Sequence, residues 1–256
     1  MKRKLQNTTS KIWSCSAILA ILLIWQFISG TGIVDSFMLP SPVQVGKAFI
    51  TEFPTLMEHS VITLTEAFLG LGIGILFGFI MAVLMDHFEC LYKAFYPLIV
   101  LTQTIPTVAI APLMVLWFGY EMTPKVILIV ITTFFPLTVG LLSGFKSADP
   151  DSVNLLRAMG GSRFDIFRYI KLPGAMPQFF SGLRISASYA VVGAVISEWR
   201  GGFGGRGVYM TRVKKAFSFD KMFAVIFLIS IISLLLMKGV DLLQKKCMPW
   251  DEKLKK

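Results

Sequence analysis

Six apolar runs of membrane-crossing length divide this chain: 12–28, 61–84, 95–118, 126–142, 179–196 and 222–237. A hydrocarbon core of ~30 Å takes about 20 helical residues to cross. Lipid offers no hydrogen-bond partner to a bare peptide group, so each run must be helical. The chain is 55% hydrophobic and 16% charged, where soluble domains carry about a quarter charged residues. These features predict an all-α membrane protein with one domain over 1–256 and six transmembrane helices. The first run begins after the basic Met1-Lys2-Arg3-Lys4 and ends near the small residues Ser29-Gly30-Thr31, as a secretory leader does. Its apolar core exceeds the usual ~7–15 residues of a leader, so it reads as a retained span.

The positions of Lys and Arg set the orientation. Sixteen of the 25 basic residues fall on the side shared by the two termini and the 146–175 segment, and eight fall on the other; Arg184 lies inside a span. Both termini are therefore expected to be cytoplasmic. Residues 198–221 dissent, holding six of those eight charges.

The segment RAMGGSRFDIFRYIKLPGAMP, 157–177, interrupts this apolar pattern. Asp149-Pro150-Asp151-Ser152 is a helix start with acidic residues at its positive end, and Gly160-Gly161 should break that helix after about two turns. Ser162 can cap a second helix over 163–171. On it Phe164, Phe167 and Ile170 share one side, and Arg163, Arg168 and Lys171 take another. Leu172-Pro173 should end it. Such an element either rests on anionic lipid or docks its aromatic residues into a soluble partner, and composition leaves both open.

Gly160, Ser162, Ile170 and Leu172-Pro173 resemble the glycine-to-Leu-Pro cytoplasmic loop of ATP-binding-cassette importer permeases. Asn154-Leu155-Leu156 stands where that family usually has Glu-Ala-Ala. Further segments are similar to the nitrate, sulfonate, taurine and thiamine-precursor branch: Leu39-Pro40-Ser41-Pro42, Gln103-Thr104-Ile105-Pro106, Ala111-Pro112-Leu113, Trp117-Phe118-Gly119, and Gly182-Leu183-Arg184 through Glu198. The resemblance implies the type I importer permease fold in a bacterial inner membrane, as a homodimer. It also implies ATPase subunits on the cytoplasmic face, carrying ATP and Mg, and a periplasmic or lipid-anchored solute-binding protein on the other face. Residues 146–175 would hold the coupling helix, with Gly160, Ser162, Phe164, Phe167, Leu172 and Pro173 facing the ATPase. Gly207 through Lys215, with Phe217 and Asp220 through Ala224, looks most like permeases for the hydroxymethylpyrimidine precursor of thiamine. The alternatives are a sulfonate, taurine or nitrate permease. An aromatic pyrimidine suits a path edged by Tyr189, Trp199 and Tyr209. Arg200, Arg206 and Arg212, near the same mouth, could serve an anion or an acidic surface of the binding protein.

The remaining residues are read from their positions. Gly70, Gly74 and Gly78 form a small-xxx-small ridge for close helix packing. Pro97, Pro106 and Pro112 should bend the third span. Gln103 and Thr107, a turn apart on it, are pathway candidates, joined by Ser186, Tyr189, Glu198 and Trp199. Gly182, Ser186, Ala190, Gly193 and Ser197 give the fifth span one slim face, suited to a pathway or a tight seam. Glu66 fits a pathway or a buried pair equally, while Arg184 reads as structural or snorkelling.

Other function classes find little support. GxGxxG at 202–207 follows a membrane span without a βαβ context, and GxxxxGK[ST] is absent, so any ATPase is a separate chain and this one is not expected to be an enzyme. Three scattered Cys and two His build neither a disulfide framework nor a metal site, and no cofactor is expected in this chain. The net charge of +10 is dispersed along membrane-flanking segments, which fits lipid contact better than nucleic acid. A stand-alone secondary transporter or channel would show internal repeats or midplane charges for ion coupling.

Overall fold

The computed structural model describes residues 2–32, 34–35, 37–199 and 204–249. Every regular element among them is helical: α1 (Lys2–Gly30), α2 (Pro42–Thr51), α3 (Phe53–His87), α4 (Glu89–Thr104), α5 (Thr107–Phe118), α6 (Met122–Lys146), α7 (Pro150–Ala158), α8 (Arg163–Ile166), α9 (Leu172–Glu198), α10 (Arg206–Lys215) and α11 (Phe219–Cys247). Phe167–Lys171 forms a π-helical turn joining α8 to α9. Among the described residues, four helical stretches are long and apolar enough to cross a membrane, and the bent pair α4–α5, taken as one span, makes a fifth. The first expected span lies within α1, whose apolar described part is Ser16–Gly30.

The chain forms two compact units, one from residues 1–57 with 210–228 and the other from 58–209 with 229–256. In the first unit, Leu39-Pro40-Ser41-Pro42 builds a helix start. Ser41 caps α2 in a capping box with Gln44, and Pro42 fills the first turn, where its missing N–H costs nothing. The turn before it is tied to α1: the Trp25 indole donates to the Pro40 carbonyl at 3.1 Å and Ser29 Oγ to the Leu39 carbonyl at 2.9 Å. Trp25 also stacks on Phe227, with ring centroids 5.9 Å apart.

The second unit is organised around α6. Gly70, Gly74 and Gly78 of α3 face it, because a Cβ on Gly70 would lie 2.5 Å from Ile129 Cγ2 and one on Gly78 would lie 3.2 Å from the Phe134 carbonyl. The α6–α9 seam is closer still. A Cβ on Gly144 would meet Ala175 at 2.6 Å, and one on Gly182 would meet the Pro136 carbonyl at 2.5 Å. Ser186, fully buried, donates to the Thr133 carbonyl at 2.7 Å. Gly182, Ser186, Ala190, Gly193 and Ser197 are all buried, so the slim face of α9 makes a helix seam.

Two expectations about proline are corrected. The third span breaks into two helices at Pro106, while Pro97 and Pro112 sit inside α4 and α5. The bend, 100°, is concentrated between α4 and α5, where Pro106 holds Ile105 in extended backbone. Gln103 and Thr107 therefore belong to different helices instead of lying one turn apart. Pro173 does not end the helix that begins at Arg163, which runs on to Glu198. The π turn bonds the Leu172 N–H to the Phe167 carbonyl, five residues back. This wider ladder carries the chain past a residue that lacks a donor.

Because the α6–α9 seam admits no Cβ, Gly182→Val should lower stability by about 1–3 kcal/mol, the usual cost of overpacking. Thermal unfolding of the purified protein in detergent, beside Ser181→Val on an exposed neighbouring position, measures the difference.

Candidate functional site

One end of the second unit carries the interrupted segment. Asp149 caps α7, accepting from the Asp151 and Ser152 amides, and α7 closes in a Schellman arrangement. Gly160 takes φ +85°, its N–H bonds the Arg157 carbonyl, and the Gly161 N–H reaches Leu156. Ser162 then starts α8 in a capping box with Asp165. Hydrogen bonds from Ser152 and Ser162 hold the Asp149 and Asp165 carboxyls below their usual range. The two phenylalanines part company: Phe164 is 65% exposed, whereas Phe167 turns inward onto Phe145, with centroids 5.4 Å apart. The π turn rotates the residues after Ile166 relative to a regular helix, so the predicted common side is lost. Phe164 and one side of Phe167, with Arg157, Arg163 and Lys171, border a groove of about 490 Å3 whose other wall is the end of α3 and Phe88 just beyond it. Lys171 bonds both Asp86 oxygens at 2.8 Å, fixing the segment to α3. Leu172 and Pro173 open α9 beneath it, both partly buried.

The opposite end holds a buried cluster of charge that sequence reading met only in part. Glu66 of α3 accepts from Lys125 of α6 at 2.6 Å, with both side chains buried. Glu198, 1% exposed, accepts from Thr63 Oγ1 at 2.8 Å and from the Gly207 amide at 2.6 Å. Arg206 is wholly buried and donates from Nε to Ser60 at 2.8 Å. The Gly205 N–H donates to His59 Nδ1 at 3.1 Å. Gly205, at φ +107°, and Gly207 lie so close to Glu198 that a Cβ on either would collide with its side chain. Gly207, the last glycine of the GxGxxG match, and Gly205, at one of its variable positions, thus let backbone close over a carboxylate, a role invisible without the fold; Gly202 and Phe203 lie outside the described residues. Buried Arg206 is not displayed at a mouth for an anion or a partner protein. Tyr209, also buried, packs on His59 at 5.3 Å between centroids and does not edge an open path. Lys221 pairs with Glu52 at a part-exposed position and Arg206 is buried, so one of the basic charges in 198–221 is paired and another is held inside the protein. Arg200 lies outside the described residues.

Between these ends α9 leaves one stripe uncovered. Ser181, Ile185, Tyr189, Val192 and Trp199 are exposed, and Gln178 is half-buried. Gln178, Ser181, Ile185 and Tyr189 line a cavity of about 400 Å3 together with Phe135, Pro136, Val139 and Gly140 of α6 and Gln103 of α4. The structure thus brings Gln103 and Tyr189 to one cavity. Thr107, Ser186, Glu198 and Trp199 lie elsewhere, with Ser186 and Glu198 in packed interior. Arg184 points away to Asp241 at 2.6 Å and Gln244 at 3.0 Å. Among the described residues, no group of His, Cys, Asp and Glu has the arrangement of a metal site.

A helical membrane unit with a basic, glycine-jointed segment at one end and a polar stripe on one span matches a family model over residues 74–248, the binding-protein-dependent transport system inner membrane component. The chain belongs to that family. It is 35% identical, over 99% of its length and 100% of the relative's, to the formylaminopyrimidine transport permease protein ThiX of Halalkalibacterium halodurans. It is 29% identical, over 93% of its length and 89% of the relative's, to the taurine transport system permease protein TauC of Escherichia coli. Among solved structures it resembles the inward-facing MetNI methionine ABC transporter, at 18% identity and a TM-score of 0.63, covering 75% of this chain and 95% of that one. The chain is a multi-pass membrane permease subunit of an ATP-binding-cassette importer with the type I fold.

Removing one partner from a buried ion pair leaves the other charge stranded. Lys125→Met should therefore cost about 3–5 kcal/mol, and adding Glu66→Gln should restore most of the loss. Denaturation midpoints of the single and double variants in one detergent check this.

Proposed function

We propose that this subunit imports a small aminopyrimidine of the hydroxymethylpyrimidine type, handed over by an external binding protein and driven by ATPase subunits docked at residues 146–175. The observation that carries the solute assignment is the full-length likeness to a formylaminopyrimidine permease, itself named for a substituted aminopyrimidine. The likeness to a taurine permease is lower, and taurine or a sulfonate is the second reading. In the proposed assembly two copies pair, and ATP and Mg are bound by the separate ATPases. Both termini and the α7–α8 segment face the cytoplasm, as the excess of Lys and Arg there favours.

The coupling step follows from the geometry of that segment. Phe164 is an exposed aromatic at the rim of a groove, held out by the Ser162–Asp165 capping box. Lys171 on Asp86 and Phe167 on Phe145 fasten the same short element to α3 and α6. Beyond the π turn it is continuous with α9. When ATP draws the ATPases together, a push on Phe164 would be carried into α9 as a nearly rigid displacement. Gly160 supplies the one joint, at a φ that other side chains rarely adopt.

Phe164→Asp should leave assembly intact and cut solute-stimulated ATP hydrolysis of the reconstituted importer by about tenfold or more, since a charge at a docking knob must be desolvated. Full stimulation would remove the coupling role. Phe167→Asp should instead damage folding, because its ring is packed inside.

The solute is decided by growth. A pyrimidine-requiring strain on limiting hydroxymethylpyrimidine should depend on this gene. Equal growth with and without it, together with lost use of taurine, would transfer the assignment to the second reading.

A further inference from the structure

We infer that the cavity between α4, α6 and α9 is a transient binding site within the permease that selects for an uncharged, hydrogen-bonding, planar solute against anions. This rests on the solute reading above and deepens it. The polar groups of the wall are Gln103, Gln178, Ser181 and Tyr189, with Phe135 and Pro136 adding apolar surface. None of its lining residues is charged, and Arg184, two residues past Gly182 of the same wall, is turned away onto Asp241. Gln178 Oε1 is enclosed with no hydrogen-bond partner in the protein, a costly state for an amide oxygen that a turn of the side chain toward a ligand N–H in the cavity would relieve.

The spacing makes the wall continuous. Ser181, Ile185 and Tyr189 stand four residues apart on α9, and Gln178 stands three before Ser181, so all lie on one helix face. A span bearing this face toward lipid would strand its glutamine and serine. Facing a solute, the amides offer both donors and acceptors to ring nitrogens and an exocyclic amine, and the Tyr189 and Phe135 rings offer stacking surfaces. A sulfonate or nitrate would shed water here and find no cation, which is strongly unfavourable. The volume, about 400 Å3, is that of a small-molecule site.

The test uses the complete importer, with its ATPase and binding protein, in proteoliposomes. Uptake of labelled hydroxymethylpyrimidine, riboflavin, taurine and nitrate is measured for the unmodified protein, Gln178→Leu and Gln103→Leu. Co-purification of the ATPase confirms assembly, and the second variant, on a different helix, serves if the first fails to assemble. Each variant is expected to lower pyrimidine uptake about tenfold, the scale of one lost hydrogen bond to a solute. Undiminished uptake in both assembled variants overturns the cavity assignment, as does uptake of taurine or nitrate alone by the unmodified importer. If the unmodified importer carries riboflavin and not the pyrimidine, the solute reading falls by itself, and the two variants judge the cavity on riboflavin.

Discussion

Close approach of α9 to α6 is the constraint on which the rest of the second unit depends. Gly140, Gly144 and Gly182 let backbone meet backbone across the seam, where lipid supplies no hydrophobic push and packing must hold the helices together. Ser186 adds a hydrogen bond to the Thr133 carbonyl, so the seam carries polar as well as steric registration. Because that face of α9 is committed to α6, only the stripe flanking it, from Gln178 to Trp199, is left free. Both the exposed aromatic at one end of the helix and the cavity along its middle follow from this rotation.

Charge fixes the two ends of the same framework. At one end two carboxylates, Glu66 and Glu198, are buried near two cations, Lys125 and Arg206, drawn from four separate helices. At the other, Lys171 joins α3 through Asp86 and Arg184 joins α11 through Asp241. Isolated charges in a membrane domain are expensive, whereas paired ones act as specific fasteners. The helices are thus pinned at their ends by electrostatics and along their lengths by glycine contacts. A displacement applied at Phe164 would therefore carry α9 and α6 together as a body, since neither set of contacts is easily stretched.

Much of this was legible in the sequence because it depends on local rules. Helix starts at Asp149 and Ser162 follow from side chains that accept backbone N–H groups, and the Gly160 turn follows from backbone freedom. What was not legible depends on partners distant in sequence. Glu66 meets Lys125, 59 residues away, and no periodicity in either helix announces the pair. The slim face of α9 was ambiguous between pathway and seam because small residues serve both, and only the position of Gly140 and Gly144 decides it. Proline misled twice. Its local effect is to remove a donor, but whether a helix then bends or continues depends on the neighbouring ladder, which kinks sharply at Pro106 and widens into a π turn before Pro173.

That π turn gives the α8–α9 segment its mechanical character. Had Pro173 ended the helix, Phe164 would sit on a short element joined to α9 by a loose link, and force on it would be lost in loop motion. A continuous path from Arg163 to Glu198 instead reaches from the groove at one end of the unit to the buried carboxylate at the other. Along it lie the stripe of Gln178, Ser181 and Tyr189 and, at its far end, Glu198 bound to Thr63 and Gly207. Movement transmitted by this helix would reshape the cavity and load the Glu198 contacts in the same stroke.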